Sequence, residues 1–322
     1  MEHKIIMHLR SAYSKIFGVK RHPSPPHEKD KDVIQEIIRN KILSGEPFMF
    51  GRIGRIEGDI CENIKYTFHE KRSNLKFIMW RGQPNFLNPF LLPLFKKNAG
   101  FFPIDDLCAL EKYYDLMINC MHEVDILASC CDNEFSFQNE LINSVKVNHE
   151  LSTPLLTDKP WTLALKGKKV LVIHPFAETI KSQYERIDKV FPNTVIMPKF
   201  HLQTIKAIQT SGGGQSRYKD WFEALDYMKS EIDKCDFDTA LIGCGAYGFP
   251  LAAYCKKIGK QALQLGGITQ LLFGIMGRRW EIDPGYINDF PYIPTYRNDY
   301  WVRPSKEETP KKSRDVEDNC YW

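Results

Sequence analysis

The stretch FDTALIGCGAYGFPLAAYCKKIGKQALQLGGITQLLFGIMGRRW, Phe237 to Trp280, limits the possible folds more than any other part of the chain. The apolar run Thr239 to Ile242 is short and continuous, as in a strand buried on both faces, and such strands belong to parallel sheets covered by helices. Gly243, Gly245 and Gly248 then form a GxGxxG. Pro250 suits a first helical turn, Gly259 closes a helix from about Pro250 to Ile258, and Gln261 to Leu265 is the next strand. A glycine turn that opens a helix after a buried strand presents unpaired N–H groups, for which phosphate is the usual guest. The same turn also serves as a plain strand-to-helix connection. A dinucleotide is disfavoured, because the second strand runs into Gln264, Leu265 and Gly266, where an acid for the ribose would stand.

Charge excludes a second class of partner. The formal net charge of +4 comes from residues 1–21, where Lys4, Arg10, Lys15, Lys20 and Arg21 face only Glu2; the remainder holds equal numbers of basic and acidic residues. A neutral body gives no footprint for nucleic acid. Nine cysteines without a CxxC pair give neither a disulfide framework nor a zinc spacing. Reduced thiols suit a cytoplasmic protein, and no apolar run reaches the ~18 residues of a membrane span.

In chain order, KIIMHLRSAYSKIFGV, residues 4–19, places Ile5, Leu9, Ala12 and Ile16 at helical spacing among basic residues. Such a helix suits an anionic membrane surface at the inner face of the cell membrane, or packs on its own domain or a partner. A proline-rich linker, His22 to Asp32, follows, so residues 1–30 are read as helix and linker, 31–300 as a single α/β domain and 301–322 as a polar, exposed tail. Within the domain, Val33 to Ile42 is amphipathic, Pro47 to Arg52 a strand, Leu75 to Trp80 another, and Asp105 or Asp106 caps a helix running through Met121. Val124 to Ser129, Lys168 to Pro175 and Thr194 to Met197 are further strands, with helices at Ala177 to Lys189 and Asp220 to Asp233. Cys130 and Cys131 are read as small buried hydrophobes. The loop SGGGQS, Ser211 to Ser216, reads as a lid, a phosphate cradle or a plain flexible loop. His174 and Glu178, at a strand end and the helix start after it, stand where open α/β sheets gather ligands.

A second glycine turn after a strand, GRIGRIEGD, Gly51 to Asp59, is loaded with charge. Together with the opening stretch it resembles the GT-D family of bacterial glycosyltransferases. That family's N-terminal signature is an Arg-Phe-Gly-Asp-Gly-Glu run after a strand, matched here by Arg52, Ile53, Gly54, Arg55, Ile56 and Glu57. Its C-terminal region has a buried strand ending in glycine, a helix, a lysine-containing turn and a strand closing on a Gly-His turn; DFDTALIGCGAYGFPLAAYCKKIGKQALQLGG is similar, with Gly266 and Gly267 at the last turn. The resemblance implies a Rossmann-like, mostly parallel sheet flanked by helices, and metal-assisted transfer of a sugar from a nucleotide donor with an Asp-x-Glu pair near the metal. Arg52, Gly54 and Glu57 match, but Arg55 stands in place of the aspartate and Gly267 in place of the histidine.

The expectation is therefore a glycosyltransferase of surface-polysaccharide assembly, moving a sugar from a nucleotide-sugar donor to a glycan or lipid-linked acceptor. Arg52, Arg55 and Arg278 or Arg279 clamp the diphosphate in place of a manganese or magnesium ion. Glu57 is the first candidate for base or vestigial metal ligand, Glu178 the second, with His174 beside them. Gly54, Gly243, Gly245, Gly248, Gly266, Gly267 and Gln270 bring backbone and amide groups to the donor, and Trp80, Tyr247 and Trp280 are candidates to stack on it. The alternatives are a nucleotide-binding or scaffolding protein with this fold and no transfer activity, and, less favoured, a Rossmann-type oxidoreductase.

Overall fold

Seven short strands form one parallel sheet in the order β3-β2-β1-β7-β6-β4-β5. They are β1 (Phe48–Gly51), β2 (Ile126–Ser129), β3 (Val145–Asn148), β4 (Lys169–His174), β5 (His201–Lys206), β6 (Thr239–Ile242) and β7 (Gln261–Gln264). The computed structural model describes residues 2–19, 22–192, 195–211, 216–282, 291–310, 313–315 and 320–322. Side chains alternate between two cores, as strand geometry requires: Leu171, Ile173, Ala240 and Ile242 enter one, and Val170, Val172, Leu241 and Leu263 the other. Helices α1 (Glu2–Phe17), α2 (Lys31–Leu43), α3 (Arg55–Ile64), α4 (Leu107–Met121), α5 (Ala177–Glu185), α6 (Trp221–Ile232) and α7 (Gly248–Lys257) complete the frame. The first core takes the apolar faces of α3, α4, α6 and α7, and the second takes α2, α5 and the C-terminal segment around Ile275, Trp301 and Trp322. This is the expected Rossmann-like α/β domain.

Local chemistry sets the element ends. Asp30, Asp106 and Asp220 each accept backbone N–H bonds from the first turn of the helix they precede, which removes orphan donors there. Gln261 carries a long-range tie: its Nε2 donates to the carbonyls of Lys41, Ile42 and Glu46, at 3.1–3.2 Å, and its Oε1 accepts from the Thr239 hydroxyl at 2.9 Å. The C-terminal end of α2 is thereby pinned to β7 and β6.

Four expectations are corrected. Leu75 to Trp80 is no strand but holds a short helix, Leu75–Ile78; Phe77 is buried while Leu75 stays exposed, and the Arg10 guanidinium lies 4.0 Å from the ring centroids of both Phe77 and Trp80. Residues 195–197 form no strand; β5 comes later, at the edge of the sheet, where mostly polar side chains are tolerated because one side is open. The helix after β4 ends at Glu185 rather than Lys189, and a second short one, Ile187–Val190, follows. The tail is also not simply exposed: Glu308, Ser313, Cys320 and Trp322 are buried. In α1 the stripe Ile5, Leu9, Ala12 and Ile16 faces solvent while Ile6 packs inward. Of SGGGQS, positions 212–215 lie outside the described residues.

Replacing Gln261 with leucine removes the partner of one buried carbonyl, at Ile42, of two part-buried carbonyls and of the buried Thr239 hydroxyl. It is expected to lower the unfolding free energy by about 2–3 kcal/mol, read as a shift in the urea midpoint without a change in slope.

Candidate functional site

Four neighbouring strands, β1, β7, β6 and β4, end side by side, and the loops after them enclose a cavity of about 250 Å³. That is a little under the ~300–1,000 Å³ of common ligand pockets, and it lies where open α/β sheets bind ligands. Close approach makes the floor. A Cβ on Gly243 would fall 2.6 Å from the Gly266 carbonyl oxygen and 2.7 Å from both His174 Cδ2 and Thr269 Oγ1, so only glycine lets the β6 end lie against the turn after β7. Gly245 and Gly266 have φ of +57° and +58°, where a side chain is strained.

Arg52 joins the two strand ends. Its backbone N–H donates to Gln264 Oε1 at 2.7 Å, so the amide in place of the dinucleotide acid has a structural use. Burial works against the Arg52 guanidinium, yet Cys130, Tyr321 and Glu57 outweigh it and hold its pKa above the ordinary value. Its buried Nε–H has no hydrogen-bond partner among the described residues. Arg55 also lines the cavity but is about half exposed and paired with Asp132 at 2.9 Å, which offsets part of its charge. Arg279 lines the cavity and lies 4.2 Å from the centroid of the Tyr321 ring. Arg278 does not line it; its N–H donates to the Trp322 carbonyl.

Gly54, with no side chain of its own to cap with, starts α3. The Glu57 carboxylate folds back over that turn: a Cβ on Gly54 would come 2.1 Å from Glu57 Oε2. Glu57 is the sole carboxylate among the described lining residues. Glu178 is not among them; it is exposed and paired with Lys181 at 2.9 Å. The amide of Glu178 instead donates to Glu308 Oε1 at 2.9 Å, and that of Thr179 to Glu308 Oε2 at 3.2 Å. A carboxylate from the C-terminal segment thus caps the helix after β4, a place open to a ligand on the sequence reading.

His174 is buried and lines the cavity. Its Nδ1 accepts the Phe176 N–H at 3.0 Å, which places the ring proton on Nε2. Burial lowers its pKa to about 3, so the ring stays neutral and is a donor rather than a base at neutral pH. Gln270 also lines the cavity, but its Nε2 donates to the carbonyls of Ile275 and Tyr321, at 3.1 and 3.3 Å. Gly267 faces the cavity against Trp280, and Gly248 lies behind it against Gln264. Tyr247 stacks on Trp221 at 4.6 Å, and neither Trp80 nor Trp280 lines the cavity. Tyr247 does line it, together with three rings that the sequence reading did not single out, Phe176, Phe249 and Tyr321.

The donor set does not suit a hard dication. Magnesium and manganese seek several oxygen ligands, whereas one carboxylate here meets three arginines. Asp59, two residues beyond Glu57, is not a lining residue and hydrogen bonds Asn133 Nδ2 at 3.0 Å. What the arrangement can do is bind an anion, through guanidinium groups.

Beside the cavity, the Cys130 thiol is pulled below its ordinary pKa by the hydrogen bond to Cys131, against burial and with help from Arg52 and Arg55. Cys131 is pushed up in turn. Compared with protein-family models, curated proteins and solved structures, the chain matches none.

Burial raises the Asp59 pKa from 3.8 to about 6, against the lowering effect of Asn133 and Arg55. A raised acid favours folding while protonated, so its contribution is present below the unfolded pKa and is lost as pH rises through about 6. Asp59→Asn is therefore expected to be nearly neutral at pH 4 and to stabilise by on the order of 2–3 kcal/mol at pH 8. Paired thermal melts across that range check the sign.

Proposed function

We propose that this chain is a nucleotide-sugar-dependent glycosyltransferase acting on a glycan or lipid-linked acceptor. The observation that carries this reading is the placement of Arg52, Arg55 and Arg279 with one carboxylate, Glu57, around a cavity at the carboxyl ends of β1, β7, β6 and β4. Sugar transfer leaves a diphosphate whose growing charge must be met. Guanidinium groups meet it without a metal ion. Glu57 then takes the acceptor proton, and the neutral His174 ring supplies a hydrogen-bond donor. A nucleotide-binding protein without transfer activity is the second reading. It is favoured by one observation: Glu57 lies folded against Gly54 rather than extended.

The readings separate on binding and turnover. Thermal shift with UDP, GDP and CMP derivatives, followed by donor hydrolysis, is expected to show one nucleotide that stabilises the protein and is consumed, with EDTA without effect. Arg52→Ala should weaken that nucleotide by about 1.5–3 kcal/mol, the worth of a charge-assisted hydrogen bond, and Glu57→Gln should leave binding intact while cutting turnover at least ~100-fold. Stabilisation without hydrolysis selects the binding protein; activity lost in EDTA and restored by manganese overturns the metal-free arrangement.

For a lipid-linked acceptor, the outward face of α1 supplies the contact. Ile5, Leu9, Ile16 and Phe17 are 49–72% exposed, with Lys4 and Lys15 exposed on the same helix, the make-up of a helix lying on an anionic surface. Among the described residues no helix is long and apolar enough to cross a membrane. Leu9→Glu with Ile16→Glu should abolish salt-sensitive co-sedimentation with phosphatidylglycerol vesicles while leaving the melting temperature within a few degrees. Equal sedimentation of variant and parent removes this contact.

A further inference from the structure

Cys130 and Cys131 follow β2 next to the cavity, and sugar transfer as proposed makes no use of them. Their sulfurs lie 3.3 Å apart. Glu134 fixes the turn that carries them: its Oε1 accepts the N–H groups of Cys130 and Cys131 at 2.8 and 2.9 Å, and its Oε2 accepts the Ser129 hydroxyl. The two sulfurs and a Glu134 oxygen all fall within 4.8 Å of one another, and among the described residues no other group of three His, Cys, Asp or Glu side chains meets this test.

A bond between the two sulfurs is the poorer use of this geometry. Adjacent Cα atoms are ~3.8 Å apart across a trans peptide, against ~4.4–6.8 Å in most disulfides. Two sulfurs held tetrahedrally by one soft ion, each at ~2.3 Å, would stand about 3.8 Å apart, half an ångström from their present spacing. We propose that Cys130 and Cys131 form a chelating dithiol site for a soft, thiolate-seeking centre, with Glu134 at hand as a third donor.

The shared chemistry is two sulfur bonds to one atom. A dication such as cadmium or zinc displaces both thiol protons, giving the bis-thiolate complex and two protons. An organoarsenic(III) oxide takes the same two thiols, forming two As–S bonds and releasing one water. The first sulfur bond holds the incoming centre beside the other thiol, 3.3 Å away. The second is then intramolecular, the origin of the chelate gain.

Cys131 is buried, Cys130 half-buried, and the test uses the full chain with Cys108 and Cys235, the other cysteines that are not buried, replaced by serine. One equivalent of cadmium is expected by thiolate charge-transfer absorbance, and one phenylarsine oxide by intact mass. Dithiothreitol should release either, and mercaptoethanol neither. Cys130→Ser should weaken uptake at least ~100-fold, with its melting temperature showing that it folds. Cadmium without the arsenical assigns a metal-ion site, and the arsenical without cadmium a metalloid site. Uptake of neither, uptake unchanged in Cys130→Ser, or release by the monothiol as readily as by the dithiol overturns the proposal. The last measurement needs no variant and decides the matter if Cys130→Ser does not fold.

Discussion

The close approach of two backbones at Gly243 and Gly266 is the constraint on which the site depends. A Cβ at Gly243 would meet the Gly266 carbonyl oxygen at 2.6 Å, a backbone atom that cannot step aside. With no side chain there, the β6 end lies against the turn after β7, and Gln264 is free to accept the Arg52 N–H. Four strand ends thereby share one floor, and residues 52, 174, 243 and 266 become neighbours despite their separation in the chain.

Charge placement follows from that floor. The Arg52 backbone is held by Gln264, its guanidinium lies close to Gly266, and Glu57 is near enough to help hold it charged. Arg55 is balanced by Asp132, and Arg279 rests on Tyr321. The C-terminal segment takes part twice, since Tyr321 lines the cavity and Glu308 caps α5. The start of α5 is thus filled from within the chain, by the Glu308 carboxylate.

Much of the frame was legible in the sequence. The central strands read clearly because burial on both faces demands continuous apolar runs, as in Thr239–Ile242 and Lys169–His174. The two strands that escaped, Val145–Asn148 and His201–Lys206, are the sheet's edges, where half-polar sequences such as VKVN and HLQTIK are tolerated and the pattern fades. Leu75–Ile78 misled because four residues of mixed polarity carry no period long enough to tell helix from strand. At the site, Arg52, Gly54, Arg55, Glu57, Gly243, Gly245, Gly266, Gly267, Gln270, Arg279 and His174 are brought together as cavity lining. Glu178, the second candidate base, turns to solvent, since position at a helix start says nothing about the direction of a side chain.

The sequence by itself determined the class of the fold and the two glycine turns, because hydrophobic period and the steric freedom of glycine are local properties that no distant residue can supply. Only the tertiary structure decided which charges face the cavity. It brought Tyr321 into the wall, put Glu308 where a ligand was expected, and set two sulfurs 3.3 Å apart beside Arg52. Those outcomes depend on contacts between residues far apart in the chain, and their energies exist only once the sheet has brought its strand ends together.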